Sequence, residues 1–538
     1  MEFSLLFQPF LVWAVVSSIF YTIYRALYRL YFSPISSFPG PKLAALTFWY
    51  EFYYDIILGG QYIWKIQALH EKHGPIVRIN PYELHINDPE YNEAVFSADK
   101  DAHKWYWGVR GFTLPGNAFQ TTDPALHRLR RSALNQYFSK QKTLSLQPII
   151  KERVDKLVDR FLEFKDSGRI LHLFYAYRAL ANGQFSHPRV FIEIKLEIDV
   201  VMEYSFSRHH HRVEAPDFDA AWHRANRDGG KVIPLLKHLN FVALVMDHIP
   251  DWITAKMHPS LAGIVAQRTE TSKQIKAVRS GEDKSHSGTT HPTVFHDIFD
   301  SKLPESEKGI ERVTNEAMVL ESAGTGSTGW TLCLATFHLL ANPDVLRKLK
   351  DELFNAAGAG TDDIPLATLQ SLPYLSAVVN EAVRLSYGVT HRLQRVFLQP
   401  LDFKPSSFTG GKSWTIPANT PISMSIPLIH HNPLIFEEPA AFRPERWINE
   451  PSLSRYQFGF SKGSRRCLGM NLGMAELFTC LAAVFTKFGS PQVTGEKDVA
   501  IMELTGTDVS DVELWADVFV PVQKPSSQGV RVVVTSIA

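Results

Sequence analysis

The chain has 538 residues, of which 45% are hydrophobic and 12% aromatic, so it can bury a large core and is not expected to be disordered. Its 56 basic side chains nearly cancel its 55 acidic ones, and the net charge of +1 gives no reason to expect nucleic acid as a partner. The three cysteines are too few for a disulfide framework and indicate a reducing compartment. Cys333 and Cys480 lie in apolar helical patterns and are predicted to pack in the core, whereas Cys467 has charged neighbours.

The first predicted element is an uncharged stretch over residues 3–24. As a helix, it would be about 33 Å long, enough to cross the hydrocarbon core of a bilayer. The alternative is a cleaved secretory signal, but the leading charge is Glu2 rather than a basic residue, and the apolar run is long for that role. The sequence therefore predicts a transmembrane anchor within residues 1–32.

Basic residues follow this stretch at Arg25, Arg29 and Lys42. The positive-inside bias then predicts that the rest of the chain faces the cytosol. Residues 33–42 contain three prolines, which lack amide donors and fix their own backbone angles, so they are predicted to form a stiff neck. One large domain over residues 43–538 is predicted to follow.

Within that domain, strand patterns occur at 75–87 and 529–537, and helical periodicity dominates between them. Residues 183–198 alternate like a strand among helices, which indicates either a surface hairpin inserted in the domain or a gene-model artefact from an unremoved intron. The histidine run at 207–212 has no cysteine or carboxylate at ligand spacing and is predicted to be a solvated loop.

Cys467 lies in the stretch FSKGSRRCLG, close to Lys462, Arg465 and Arg466. Nearby cations favour the thiolate, which is the form that binds metals and acts as a nucleophile. A helical pattern begins directly after Gly469, so the amides of a helix N-terminus would also favour negative charge at the sulfur. On these residues alone, an axial thiolate ligand and an ordinary loop cysteine both remain open.

The stretch FSKGSRRCLG resembles the haem-binding signature of the cytochrome P-450 family at every specified position. This resemblance implies a mainly α-helical haem-thiolate fold with a small β region, from about residue 38 to the end of the chain. It implies that Cys467 is the axial ligand of the iron of haem b, that Phe460 packs near the sulfur and that Arg465 meets a propionate. An electron-donating thiolate favours O–O cleavage.

Two further motifs match the family in the right order along the chain. His127 and Arg131 lie four apart on one predicted helix face and resemble a pair that holds a propionate, with Arg395 as a third contributor; a merely solvated basic face is the alternative. The second motif is a structural salt-bridge network behind the haem, matched by Glu381, Arg384 and Arg446. A solvated surface pair is its alternative.

The stretch ESAGTGSTGW resembles the family's oxygen-activating helix, with a departure at its chemical centre. Gly326 replaces the family's acid, Ser327 replaces the first threonine, and Thr328 matches the last position. Ser327 and Thr328 are therefore the predicted catalytic hydroxyls, which would relay protons. Water or Glu321 is expected to compensate for the missing acid, and mere local flexibility is the alternative.

The resemblance implies a monooxygenase that inserts one oxygen atom from O2 into a hydrophobic small molecule, with electrons from NADPH through a membrane-bound flavoprotein reductase. PERW, RHHHRVEAPDF and QGVRVVV resemble fungal enzymes of secondary metabolism, particularly the trichodiene oxygenase group, and imply a terpenoid or polyketide-like substrate. Implied substrate contacts are 105–119, 320–324 and 389–391. The implied location is the endoplasmic reticulum membrane, with membrane lipid as a partner and the catalytic domain in the cytosol.

Two other functions stay open at this point. A haem-thiolate isomerase or dehydratase would rearrange an oxygenated substrate without a reductase, which would explain the loss of the acid at Gly326. A non-catalytic, membrane-anchored haem-binding protein would explain both Gly326 and the interruption at 183–198.

Overall fold

The computed structural model describes residues 2–96, 102–181, 205, 217–218, 230–246, 248–257, 259–284, 293–357 and 364–537. The interruption predicted at 183–198 and the histidine run at 207–212 lie outside these described residues. In the described part, the chain is mainly helical with small sheets, which confirms the predicted fold class at that level.

The described helices, in chain order, are α1 Glu2–Leu27, α2 Lys42–Leu46, α3 Trp49–Phe52, α4 Tyr62–His73, α5 Asn92–Phe96, α6 Tyr106–Val109, α7 Pro124–Asn135, α8 Lys140–Ser145, α9 Gln147–Leu162, α10 Leu173–Ala181 and α11 Val232–His238. They continue with α12 Asn240–Met246, α13 Asp251–Met257, α14 Pro259–Ser280, α15 Val294–Asp300, α16 Ile310–Ala341, α17 Pro343–Ala357, α18 Leu366–Leu369, α19 Pro373–Ser386, α20 Ile426–His430, α21 Glu445–Asn449 and α22 Met470–Lys487.

The strands form two four-stranded sheets and two hairpins. The first sheet has the order β1 Ile76–Arg78, β2 Leu84–Ile86, β7 Pro421–Ser423 and β4 Arg395–Val396. The second has the order β3 Leu171–His172, β12 Arg531–Thr535, β9 Ala500–Leu504 and β8 Phe488–Gly489. The hairpins pair β5 Leu401–Phe403 with β6 Trp414–Ile416, and β10 Ala516–Asp517 with β11 Pro521–Val522. Strands thus form in both segments where the sequence predicts them.

The long helix α16 passes through the helical core and carries the SAGTGS stretch without a break. Helix α10 crosses α16 at Gly329. A Cβ on Gly329 would stand 2.8 Å from Arg178 Cγ and 3.0 Å from Arg178 Cα. The absence of a side chain at Gly329 therefore lets the two helices approach closely. Cys333 and Cys480 are buried in the same core, as predicted.

A buried ion cluster connects α11 to the segment around Glu51 and Asp55. Lys237 Nζ lies 2.8 Å from Glu51 Oε1 and 2.7 Å from Asp55 Oδ2, and Arg392 Nη2 lies 2.6 Å from Glu51 Oε1. Burial opposes ionisation of Asp55, but Lys237 lowers its pKa to about 2. Glu51, Asp55 and His238 have the geometry of a metal-ligand group, yet the ammonium of Lys237 already binds both carboxylates.

The N-terminal stretch forms a helix, α1, as the sequence predicts. From Val12 onward its side chains include exposed aromatic residues, among them Trp13, Phe20 and Tyr24. Among the described residues, however, no helix combines the length and the apolar character needed to cross a membrane. The predicted transmembrane segment is therefore not supported.

Candidate active site around Cys467

Cys467 lies where the sequence places it, on a short loop that leads into α22. Its amide donates to Phe460 O at 2.8 Å, and Gly463, with φ of 71°, supplies a left-handed turn that closes the loop. The Cys467 side chain is accessible, although protein surrounds it on enough sides for burial to raise the pKa of the thiol. An amide at Gly469 and the cation of Arg131 act in the opposite direction.

These contacts correct the predicted electrostatics of Cys467. The sequence places Arg465 and Arg466 nearest along the chain, but Arg466 is exposed and Arg465 donates to backbone carbonyls, at 2.9 Å for Thr122 O. The cation that favours the thiolate is instead Arg131 of α7, and it does not outweigh burial. Because a metal ion bound to sulfur deprotonates a thiol outright, a ligand role does not depend on a low intrinsic pKa.

Five basic residues converge beside this loop and are called here the basic cluster: Lys104, His127, Arg131, Arg395 and Arg465. Burial, followed by repulsion from other members, lowers the pKa of His127 to about 3 and that of Arg395 to about 9. The pKa of Lys104 is lowered well below its ordinary value for the same two reasons. Burial lowers the pKa of Arg465 to about 10 even though Asp123 opposes the shift. The cluster therefore gathers basic groups whose protonated forms local carboxylates do not stabilise, and a bound anion would favour those forms.

Haem is a planar group with a metal centre and two carboxylates, so its site needs a metal ligand and basic groups that donate to carboxylates. Cys467 supplies a sulfur ligand, and the basic cluster supplies the donors that two propionates need. His127 is buried, and its Nδ1 has no hydrogen-bond partner within the described part of the chain, so a donor or acceptor is available there. The residues present fit haem. The sequence predicts His127, Arg131, Arg395 and Arg465 but misses Lys104, which no motif marks.

The two predicted catalytic hydroxyls occupy different surroundings on α16. Ser327 is exposed, and its Oγ lies 3.1 Å from Ala323 O, to which it donates. Thr328 is buried against α22, with its Oγ1 only 3.4 Å from the position of a Cβ on Gly473. Successive residues of a helix point about 100° apart, so only one of the two can face the accessible side. That residue is Ser327.

A buried acid that the sequence analysis misses lies next to Thr328. Burial raises the pKa of Glu476 to about 8, and a hydrogen bond with Thr328 opposes the shift. Glu476 belongs to α22, so its approach to α16 cannot be inferred from spacing. Glu321, the expected substitute for the missing acid, accepts a hydrogen bond from Gln267 Nε2 at 3.0 Å on α14 instead. The structure does not support its predicted role.

The structure brings Glu381, Arg384 and Arg446 together. Arg384 Nε and Nη2 each donate to the Glu381 carboxylate at 2.8 Å, and Arg446 Nε donates to Glu381 Oε1 at 3.1 Å. The indole of Trp447 and the amide of Arg443 complete the contacts of Glu381, at 2.9 and 2.8 Å. Burial opposes ionisation, but these donors lower the pKa of Glu381. The arrangement is a buried network and not a solvated surface pair.

Three aromatic rings meet next to Lys104 of the basic cluster. Phe112 and Phe119 have ring centroids 5.1 Å apart, and Phe519 lies 4.5 Å from Phe112 and 5.8 Å from Phe119. Lys104 Nζ stands 3.8 Å from the centre of the Phe119 ring, which links the aromatic group to the basic cluster. Phe112 and Phe119 belong to the predicted substrate segment 105–119, whereas Phe519 comes from the β10–β11 hairpin, which the sequence analysis misses.

Comparison with known proteins agrees with this geometry. The model of the cytochrome P450 family matches residues 39–507. The chain is 40% identical to cytochrome P450 monooxygenase tpcC of Cochliobolus heterostrophus, over 98% of this chain and 97% of that protein. It is 37% identical to cytochrome P450 monooxygenase astB of Talaromyces wortmannii, over 99% of both chains. It is 35% identical to tryptophan 6-hydroxylase fscE of Fusarium equiseti, over 95% of this chain and 94% of that protein.

The matched region contains Cys467, the basic cluster and the Glu381 network, and the relatives are fungal enzymes that incorporate oxygen. The isomerase and the non-catalytic protein, left open by the sequence, are therefore set aside. This chain belongs to the cytochrome P450 family and is an oxygen-incorporating oxidoreductase of fungal secondary metabolism.

Proposed function

We propose that this protein inserts one oxygen atom from O2 into a hydrophobic small molecule, with Cys467 as the axial ligand of haem b. The observation that carries the proposal is the placement of one accessible thiol beside five converging basic residues, which are the two kinds of group that haem requires. When bound, haem supplies the activation of O2.

The residues of this chain have distinct tasks in the proposal. Cys467 would hold the iron of haem through its sulfur, while Phe460, whose carbonyl accepts from the Cys467 amide, keeps the loop in place. The basic cluster orients the carboxylates of the cofactor. Ser327 presents a hydroxyl on the accessible side of α16 and holds a proton at Oγ, where it can be passed on through water. Thr328 supports α16 from the buried side.

The substrate is proposed to be a terpenoid or polyketide-like intermediate. The partly accessible rings of Phe112, Phe119 and Phe519 support a hydrophobic molecule at this position. The name of the Fusarium relative, a tryptophan 6-hydroxylase, adds aromatic compounds to the candidate substrates. A site lined by aromatic rings suits any of these classes, because each of them offers apolar surface that can pack against a ring.

Electrons are proposed to come from NADPH through a membrane-bound flavoprotein reductase that docks on the face near Cys467. Exposed cations support the proposal: Arg466 lies on the Cys467 loop, Arg128 lies on α7, which also brings Arg131 to Cys467, and Lys140 lies on α8, which packs on α22. Complementary charge between such a face and a partner's surface would steer their association. Lys140 also lines a groove with Asn471 and Met474 of α22.

Endoplasmic reticulum membrane association, with the catalytic domain in the cytosol, is also part of the proposal. It is supported by the exposed aromatic side chains of α1 and by Arg25 and Arg29, which follow them. Fractionation of cells that express the full chain tests it. Recovery of the protein with washed membranes is expected, and recovery in the soluble fraction would contradict it.

The reduced, carbon monoxide-bound absorption spectrum tests the ligand assignment. The full chain is expected to show the spectrum of a thiolate-ligated haem, and Cys467→Ser is expected to lose it. Cys333→Ala is the matched control, because Cys333 is buried in the core and is expected to leave the spectrum unchanged. Addition of NADPH and reductase should then consume O2 in proportion to product. A Cys467→Ser variant with an unaltered spectrum would refute the assignment.

A further inference from the structure

Three arginines and a tyrosine gather where the N-terminal helical stretch meets the rest of the chain, and they are called here the neck cluster: Arg25, Arg29, Arg78 and Tyr82. Arg25 Nη2 donates to the Tyr82 hydroxyl at 2.9 Å, and Arg29 Nη2 donates to the same oxygen at 3.4 Å. The guanidinium of Arg29 also lies 5.5 Å from the centre of the Tyr82 ring. Two cations therefore meet at one hydroxyl of the connection between β1 and β2.

Arg78 of β1 holds together the two segments that carry these groups. Its Nη1 donates to Arg29 O at 2.8 Å, in the turn that follows α1, and its Nη2 donates to Pro81 O at 2.8 Å, next to Tyr82. Arg78 is only 2% exposed, so both contacts are shielded from water. The neck cluster is therefore a built arrangement and not a set of independent surface side chains.

The positive charge of the neck cluster is not neutralised by the protein. Arg25, Arg29 and Arg78 form no ion pair with a carboxylate among the described residues. Burial, followed by repulsion from Arg29, lowers the pKa of Arg78 to about 10. Two buried donors, Arg29 Nε and Arg78 Nε, find no acceptor in the described part of the chain. Unsatisfied buried donors are rare in native proteins, and an anion that joins the cluster explains why these two are present.

The donors of the neck cluster match a phosphate monoester. Guanidinium groups present their N–H donors in a planar fork that fits phosphate oxygens, and a monoester has three terminal oxygens that can accept. The Tyr82 hydroxyl accepts from both arginines and keeps its own hydrogen available for one more contact. Because Tyr82 is 42% exposed, a ligand can reach the cluster from outside.

The surroundings of the cluster favour a membrane lipid as the source of the phosphate. The segment between Arg25 and the neck exposes Tyr28, Tyr31 and Phe32. Aromatic side chains beside cations are typical of the level of lipid headgroups, where rings contact the acyl boundary and charges contact the phosphates. A soluble phosphate compound has no use for such an apolar border.

We propose that the neck cluster binds the phosphate monoester headgroup of a membrane lipid, of which phosphatidic acid is the simplest example. Arg25 and Arg29 contact the phosphate through their guanidinium groups, and Tyr82 donates its hydroxyl hydrogen. Arg78 is a positioning residue that keeps these donors together. A bound headgroup holds the neck at the membrane surface. This inference rests on the membrane association proposed above, to which it adds a preference among lipids.

Vesicles of defined composition test the proposal. The haem-loaded full chain is mixed with phosphatidylcholine vesicles that contain either phosphatidic acid or phosphatidylglycerol, in amounts that give the same zeta potential. The phosphate of phosphatidylglycerol is a diester, so the vesicles differ in headgroup and not in surface charge. Co-sedimentation is expected to show about tenfold stronger partition into the phosphatidic acid vesicles, the value of one charge-assisted hydrogen bond. Equal partition into the two would overturn the proposal.

Two variants separate recognition of the phosphate from simple attraction between charges. Arg29→Lys keeps the charge but loses the planar fork, and Tyr82→Phe keeps the ring but loses the hydroxyl, so each is expected to reduce the preference to about twofold. Lys42→Gln is the matched control, because it removes an exposed cation of the neck and should weaken binding to both kinds of vesicle equally. A tenfold preference that persists in both Arg29→Lys and Tyr82→Phe would overturn the proposal. If a variant does not fold, the comparison of vesicles with the wild type still decides.

Soluble phosphates distinguish a lipid from a free anion. Inorganic phosphate and glycerol phosphate are titrated calorimetrically into the full chain in neutral detergent micelles. Dissociation constants above about 1 mM are expected, because a soluble phosphate lacks the high local concentration of a headgroup at the bilayer. Tighter binding of either compound would assign the cluster to a soluble phosphate and overturn the lipid assignment.

The carbon monoxide spectrum and vesicles without anionic lipid keep this test separate from the proposed function. A protein that has a thiolate-haem spectrum and binds neutral vesicles, but shows no preference for phosphatidic acid, refutes this inference alone. A protein that binds no vesicle of any composition refutes the membrane association together with the lipid site, while its spectrum and turnover still decide on the oxygenase.

Discussion

Arg384 donates two hydrogen bonds of 2.8 Å to the Glu381 carboxylate, and both side chains are fully buried. Such a pair gives little net stability when complete, but removal of one partner leaves a buried charge without compensation. The backbone carbonyls of His430, Pro439 and Ala441 also accept from Arg384, so the pair connects α19 to the segment before the Cys467 loop.

Glu381→Ala is therefore expected to cost about 3–5 kcal/mol and to abolish haem incorporation, because the buried guanidinium loses its counter-ion. Haem content per protein and the thermal midpoint of unfolding, Tm, measure this. Arg443→Ala is the matched control, because its guanidinium is partly exposed and binds Glu437 and Glu438, while its amide still donates to Glu381. A Glu381→Ala protein with normal haem content would contradict the expectation.

Lys104→Met is expected to release haem faster, on the order of tenfold, because one charge-assisted contact to a propionate is lost. The rate of haem transfer to apomyoglobin measures this. Lys462→Met is the control, since Lys462 lies over the Phe458 ring at 4.6 Å and outside the basic cluster. Equal transfer rates for Lys104→Met and wild type would show that Lys104 does not hold a propionate of haem.

Replacement by alanine is expected to change the stability of the protein in opposite directions at two glycines of α16. Gly329→Ala is expected to lower stability by about 1–3 kcal/mol, because its Cβ would stand 2.8 Å from Arg178 Cγ. Gly326→Ala has its nearest neighbour at 4.0 Å, Arg178 Nη2, and should gain up to about 1 kcal/mol of helix propensity. The Tm of the two variants distinguishes them, and a shift in the same direction for both would refute the close helix crossing.

Glu476 makes stability depend on pH. Its pKa is about 8 in the folded protein against an ordinary value of 4.5, so the folded state binds the proton more tightly. The free energy of unfolding should therefore fall as pH rises from about 4.5 to about 8, on the order of 4 kcal/mol from this group. Glu476→Gln should flatten this part of the profile, measured as Tm at pH 5.5, 7 and 8.5. Glu450→Gln, at an exposed position, serves as control, and parallel profiles for wild type and Glu476→Gln would contradict the assignment.

The parts of the site that the sequence predicts are those set by short spacing. Glu381 and Arg384 share a helix face, and His127 and Arg131 share another, so local periodicity brings the members of each pair together. The assignment of these pairs and of Cys467 to a haem site comes from the resemblance to the family and not from periodicity. Spacing places Arg465 and Arg466 next to Cys467, whereas the cation that favours its thiolate in the structure, Arg131, is distant in sequence. Tertiary packing likewise brings Lys104 and Glu476 to the site, and no local pattern predicts such contacts.

Phe519 shows a further limit of sequence patterns. Its left-handed backbone depends on Asp517 and on the Thr390 amide, and the latter comes from a remote segment. A bulky aromatic residue has no preference for a left-handed backbone, so the sequence around Phe519 does not predict this conformation.

The repulsion within the basic cluster has a consequence for the life of the protein in a cell. Burial and mutual repulsion disfavour the charged forms of the basic cluster as long as no anion joins it, and a ligand that binds only the folded state shifts the folding equilibrium by mass action. Haem, bound as proposed, would thus stabilise the folded chain during biosynthesis in addition to supplying the chemistry afterwards. The steady-state amount of enzyme should follow the cell's supply of tetrapyrrole, and a host starved of iron should accumulate protease-sensitive chains.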